Sequence, residues 1–109
     1  AQFWTPWLLW VAITLAVEVP VVAACFPGQR VRLAAACALT TTATHLFMHF
    51  GLPWLGLGPL AVLVAGEVLA TTVEAGAYAA VSRPRNLGRG LVASALANSA
   101  SYAAGAALG

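Results

Sequence analysis

Four long apolar runs, broken by short clusters of Arg, Gly and Pro, set the pattern of this chain. They cover about residues 3–26, 33–50, 60–81 and 91–108. "PGQRVR", "GLPWLGLGP" and "SRPRNLGRG" separate them. None alternates apolar and polar residues with a period of two, so none reads as a strand. Each is close to the roughly 20 residues that cross a hydrocarbon core as a helix. In lipid, a helix satisfies its own backbone polar groups. The pattern predicts an all-α membrane protein: four transmembrane helices in a single domain, 1–109, with no extramembrane domain left over.

The polar residues inside the runs carry a second pattern. At an offset of 56, Glu18 falls on Glu74, Thr42 on Asn98 and His45 on Ser101, and the arginine-rich loops superpose. This predicts two tandem helical hairpins, with repeat halves 1–53 and 57–109. Hairpins entering from the same side form a parallel repeat about an axis along the membrane normal. Residues equidistant from a hairpin turn share a depth. Glu18 with Thr42, and Glu74 with Asn98, then lie about 15 Å from the loops at about 1.5 Å per residue, near the bilayer centre. His45 and Ser101 come about one turn further out. Glu67 with His49 forms an outer layer, about 10 Å beyond Glu74.

Composition agrees with the membrane reading. The chain is 61% hydrophobic and 7% charged, against roughly 25% charged in a soluble domain. The charge is five Arg against three Glu, with no Lys and no Asp. No basic groove with interleaved aromatics appears, which excludes a nucleic-acid partner. Arg30, Arg32, Arg83, Arg85 and Arg89 all lie in the first and third loops. The positive-inside rule places loops 27–32 and 82–90 in the cytoplasm and both termini outside. Trp4, Trp7, Trp10 and Trp54 fall on the outer side, where indole rings settle at headgroups. The Ala-rich, Lys-free composition points to a bacterial inner membrane. The first run lacks a positive n-region and carries Glu18, so it does not read as a signal peptide. Cys25 and Cys37 read as small packing residues. On a cytoplasmic side they are not expected to form a disulfide.

All three acids of the chain therefore sit in predicted spans. A carboxylate at mid-membrane costs at least about 2.5–3.5 kcal/mol. It is tolerated when it is protonated, paired, or turned to the bundle interior. No Arg lies inside a span, so His45 or His49 is the only candidate cation. The neutral donors are Asn98, Ser94, Ser101, Thr41, Thr42, Thr71, Thr72 and Tyr78. One expectation is a set of protonated, hydrogen-bonded acids that lock helices together. The functional expectation is a site that exchanges protons or binds a cation. Its residues are Glu18, Glu74, Glu67, Asn98, His45, Thr42 and Ser101. Pro20 frees the carbonyl of Ala16, as a proline inside a helix does. The stripe Ala97, Ser101, Gly105 and Gly109 suits close helix packing, within the chain or against a second one.

"HLFMH" places His45 and His49 four residues apart on one helix face. That spacing can chelate a metal, with Glu67 as a third ligand. A metal- or haem-binding redox protein is thus one alternative. No Ser/His/Asp set, P-loop or Gly-rich dinucleotide turn appears, so neither an enzyme nor a cofactor is implied by motif.

In size, four spans and a Glu in the middle of the first, the chain resembles the small multidrug resistance transporters in design. That resemblance implies exchange of protons for cationic compounds on Glu18. The function expected is the handling of a proton, a cation or a small cationic solute within the membrane. The partners expected are the lipid bilayer and either further copies of the chain or other membrane subunits. A non-catalytic transmembrane subunit of a larger membrane complex is the other alternative.

Overall fold

A computed structural model describes residues 4–108. The described residues form four helices and no strand: α1 Trp4–Cys25, α2 Arg30–Phe50, α3 Pro59–Val81 and α4 Leu87–Leu108. A turn of 3-10 helix, Leu52–Leu55, bridges α2 to α3. Pro6–Cys25, Pro59–Val81 and Leu87–Leu108 are long and apolar enough to cross a membrane. Phe3, the expected start of the first run, and Gly109, the end of the small-residue stripe, lie outside the described residues. So does the side chain of Trp4.

Two boundaries differ from the sequence expectation. α2 begins at Arg30 and α4 at Leu87, so Arg30, Arg32 and Arg89 stand in first helical turns and not in loops. The connections shrink to 26–29 and 82–86. Asn86 explains the second case: its Oδ1 accepts the backbone N–H of Arg89 at 3.0 Å, as a helix cap does. That starts the helix despite Gly88 and Gly90. In the first connection, Gln29 N–H donates to the Phe26 carbonyl at 3.1 Å. Gly28 has φ +81°, the left-handed value that the third position of a Pro-Gly turn requires.

The helices form a ring in which each touches two neighbours: α1 with α2, α2 with α3, α3 with α4, and α4 with α1. The connections alternate direction, so α1 and α3 face each other diagonally, as do α2 and α4. Pro20 sits inside α1, which continues through it. The apolar core lies toward the arginine end, where Val22, Phe26, Leu33, Cys37, Tyr78, Ala93 and Ala97 are buried. Leu8, Leu39, Val92, Leu96 and other large apolar side chains point outward, as lipid-facing positions do. Both cysteines are free.

The arginine end is braced across the two loops. Gln29 Nε2 donates to the Arg83 carbonyl at 2.9 Å, and its Oε1 accepts the Arg83 N–H at 2.6 Å. Arg89 Nη1 donates to the Cys25 carbonyl at 2.9 Å, satisfying one of the acceptors that a helix leaves open at its C-terminus.

Candidate functional site

The middle of each helix contributes polar side chains to the inside of the ring. Glu18 from α1 and Glu74 from α3 are 0% and 1% exposed. Neither carboxyl reaches lipid or solvent, and each is bonded from both flanking helices. Thr41 of α2 donates to Glu18 Oε1 at 3.0 Å, and Ser101 of α4 to Glu18 Oε2 at 2.5 Å. Thr44 of α2 donates to Glu74 Oε2 at 2.8 Å, and Asn98 Nδ2 of α4 to Glu74 Oε1 at 2.9 Å. All four carboxyl oxygens thus have a protein partner.

Helical periodicity produces this arrangement. Residues three apart lie on one face of a helix, so α2 presents Thr41 and Thr44 together, and α4 presents Asn98 and Ser101. Each pair reaches one glutamate with its first member and the other with its second. Asn98 is itself anchored by Ser94, through the carbonyl at 2.9 Å and the hydroxyl at 3.3 Å. Ser94 donates across to the Thr71 carbonyl at 2.7 Å. On the opposite side, Cys37 Sγ lies 3.7 Å from the Thr41 hydroxyl.

Two hydroxyls have a double contact. Thr44 Oγ1 lies 2.8 Å from Glu74 and 3.1 Å from the Thr41 carbonyl. Ser101 Oγ lies 2.5 Å from Glu18 and 3.1 Å from the Asn98 carbonyl. A hydroxyl has one proton to donate and two lone pairs to accept with. It can donate to a carboxylate. It can equally accept from a protonated carboxyl while its own proton turns to the backbone carbonyl. The same heavy-atom positions therefore suit either protonation state of each glutamate.

The sequence-predicted residues divide. Glu18, Glu74, Asn98 and Ser101 come together in the central layer. Thr42 does not join them, because its hydroxyl donates to the Ala38 carbonyl of its own helix at 2.7 Å. His45 is half-buried and lines a separate cavity of about 550 Å³ with Trp7, Trp10, Met48, His49 and Val62. Glu67 is half-buried in a groove between α3 and α4. The expected outer layer of Glu67 with His49 is thus split between two cavities. Among the described residues no three His, Cys, Asp or Glu side chains converge to hold a metal ion. His45 and His49 line the cavity and Glu67 the groove, so the three are not grouped as a ligand set. The residue that sequence reasoning missed outright is Thr44. Its signal was its place three residues after Thr41, matching the spacing of Asn98 and Ser101.

Comparison with known proteins finds no family model, curated protein or solved structure that matches the chain.

Proposed function

We propose that this chain is a four-span membrane protein that exchanges protons on Glu18 and Glu74, coupled to passage of a cation or small cationic solute. One observation carries the reading. Each buried carboxyl contacts a hydroxyl that also faces a backbone carbonyl, so each can be hydrogen-bonded with or without its proton. A permanently neutral carboxyl needs one donor for its carbonyl oxygen and one acceptor for its proton, and a permanent carboxylate needs donors alone; hydroxyls free to turn supply both sets. A cradle that serves both forms suits a group that gains and loses a proton in place.

In this reading α2 is the fourth span. Its 21 residues are about 31 Å long at about 1.5 Å per residue, enough to cross the hydrocarbon core. Thr41 and Thr44 lower its average apolarity, yet both are buried against the carboxyls and neither faces lipid. The arginine end is cytoplasmic by the positive-inside rule, which puts both termini outside. A bacterial inner membrane suits the composition.

The bonding pattern also supports a tandem hairpin repeat, in a register with one extra residue in the second connection. The first connection has four residues and the second five. α1 then matches α3 at an offset of 56, and α2 matches α4 at 57. Under that rule Glu18–Thr41 corresponds to Glu74–Asn98, and Glu74–Thr44 corresponds to Glu18–Ser101. Cys37 near Thr41 corresponds to Ser94 near Asn98. The two glutamates are equivalent groups related by an axis along the membrane normal.

Reconstitution tests the proposal. Purified chain in liposomes, under an imposed proton gradient and in the presence of candidate cations, should dissipate the gradient as read by a trapped pH-sensitive dye. Glu18→Gln and Glu74→Gln should each slow this at least tenfold while eluting as folded protein. Unchanged exchange in the double variant would overturn the reading.

A further inference from the structure

The groove between α3 and α4 is not part of the sealed carboxyl layer. It is an open groove of about 520 Å³, walled largely by apolar side chains such as Leu63 and Val68, with polar positions supplied by Glu67, Thr71, Asn98 and Ser99. Glu67 accepts no hydrogen bond there, although hydroxyl-bearing neighbours line the same space. An acid within a membrane span is tolerated where it is protonated, paired, or turned to the bundle interior or a water-filled cavity. No partner for Glu67 exists among the described residues. The volume is well above the roughly 30 Å³ that one water occupies in the liquid, and polar partners are at hand.

The groove also has a direction. Its lining comes mostly from the first half of α3 and the second half of α4, the halves remote from the arginine loops. Asn98 forms its floor and holds Glu74 on its inner side. On the arginine side of the carboxyls, Val22, Phe26, Leu33 and Tyr78 are 0–1% exposed and fill the ring. Asn98 links Glu74 directly to the groove wall, whereas a packed apolar layer separates Glu74 from the loops.

We infer that this groove is an aqueous vestibule that gives protons access to Glu74 from the α2–α3 end, with Glu67 as its entry carboxylate. The inference rests on the proton-exchange reading of Glu18 and Glu74. Glu67 accepts a proton from water and releases it to water within the groove, so no other reactant is consumed. Asn98 does not carry the proton. Its amide closes the floor, and swinging off Glu74 opens the vestibule onto that carboxyl. Glu67 has no counterpart in the first half of the chain, where Val11 occupies the corresponding position on α1. An entry carboxylate is therefore present in one half of the repeat only.

Two measurements test this, with Cys25 and Cys37 replaced by Ala. Ser99→Cys, in the groove, should react with a membrane-impermeant sulfonated maleimide added outside right-side-out proteoliposomes. It should do so at least tenfold faster than Leu96→Cys, which sits on the outer face of the same helix at similar depth. Equal rates mean that lipid fills the groove, and Ser99→Cys dimers cross-linked through that position mean that a second copy covers it. Either result overturns the vestibule. Glu67→Gln should slow proton exchange severalfold and leave residual exchange, and an unchanged rate overturns its entry role. If Glu18→Gln and Glu74→Gln abolish exchange while the Glu67 and labelling tests fail, only the vestibule falls. If those two variants are without effect, the underlying reading falls whatever the labelling shows.

Discussion

Thr41 and Thr44 stand one turn apart on α2 and hold different glutamates, Thr41 bonding Glu18 at 3.0 Å and Thr44 bonding Glu74 at 2.8 Å. The two are also linked to each other, since the Thr44 hydroxyl lies 3.1 Å from the Thr41 carbonyl. One helix thus ties together carboxyls that belong to diagonally opposed helices. Asn98 and Ser101 tie them again from α4.

Removing one of these donors leaves a buried carboxyl oxygen without its partner. Thr44→Val and Ser101→Ala should each cost about 1–3 kcal/mol, read as a lower midpoint of thermal unfolding in mild detergent. Thr42→Val is the control. Its hydroxyl returns to its own helix, so its effect should stay within about 0.5 kcal/mol. A larger loss from Thr42→Val than from Thr44→Val would contradict the donor assignment.

The comparison of Thr42 with Thr44 also shows what could be read from the sequence. The four helices were legible because apolar runs of spanning length are hard to mistake. Glu18, Glu74, Asn98 and Ser101 were legible because polar groups in such runs are few and costly. The donors on α2 were not legible from a gap-free overlay. One extra residue between α3 and α4 rotates the match by about 100° at 3.6 residues per turn. That replaces Thr41 and Thr44 by Thr42 and His45. The connection lengths depend on Asn86 capping α4 ahead of two glycines, which composition alone reads as a break. Glu67 and His49 share a depth, but depth does not say which pair of helices encloses each. Trp7 and Trp10 of α1 help enclose the histidines, while α4 encloses Glu67.

Gly90 sets the approach of α4 to α3. A Cβ there would lie 2.6 Å from the Ala75 carbonyl oxygen and 3.1 Å from the Ala79 nitrogen. These are backbone atoms that cannot turn aside, so the helices must separate. Gly90→Ala should destabilise by about 1–3 kcal/mol, as overpacking does. Gly76→Ala should not, because a Cβ there meets nothing within 4 Å. Thermal unfolding of the two variants side by side checks this. Because Asn98 and Ser101 ride on α4, Gly90→Ala should also slow proton exchange.

Gln29 joins the two loops at the arginine end through a pair of hydrogen bonds to the Arg83 backbone. Water competes at this exposed site, so Gln29→Ala should cost only about 0.5–1.5 kcal/mol in stability. Its clearer signature is local. Backbone amides of 82–86 should exchange with deuterium faster, while those flanking Glu74 keep their protection. Uniform deprotection along α3 would show that the clamp is global and not local to the loops.

Tyr78 makes the opposite kind of prediction. It is fully buried at 0% exposure, packed among Val22, Leu33 and Ala93, and among the described residues its hydroxyl makes no hydrogen bond of good geometry, although it neighbours the Cys37 thiol and the Thr41 hydroxyl. A buried hydroxyl without a partner costs about 1–3 kcal/mol, and Tyr78→Phe removes it while keeping the ring in place. The substitution should therefore leave thermal stability unchanged or raise it, unlike Thr44→Val and Ser101→Ala. Proton exchange should also persist, because the hydroxyl bonds neither carboxyl and lies on the closed arginine side of Glu74. A fall in the unfolding midpoint comparable to that of Ser101→Ala would show that the phenol does bond the Cys37 thiol or the Thr41 hydroxyl and that the layer beneath the carboxyls depends on it.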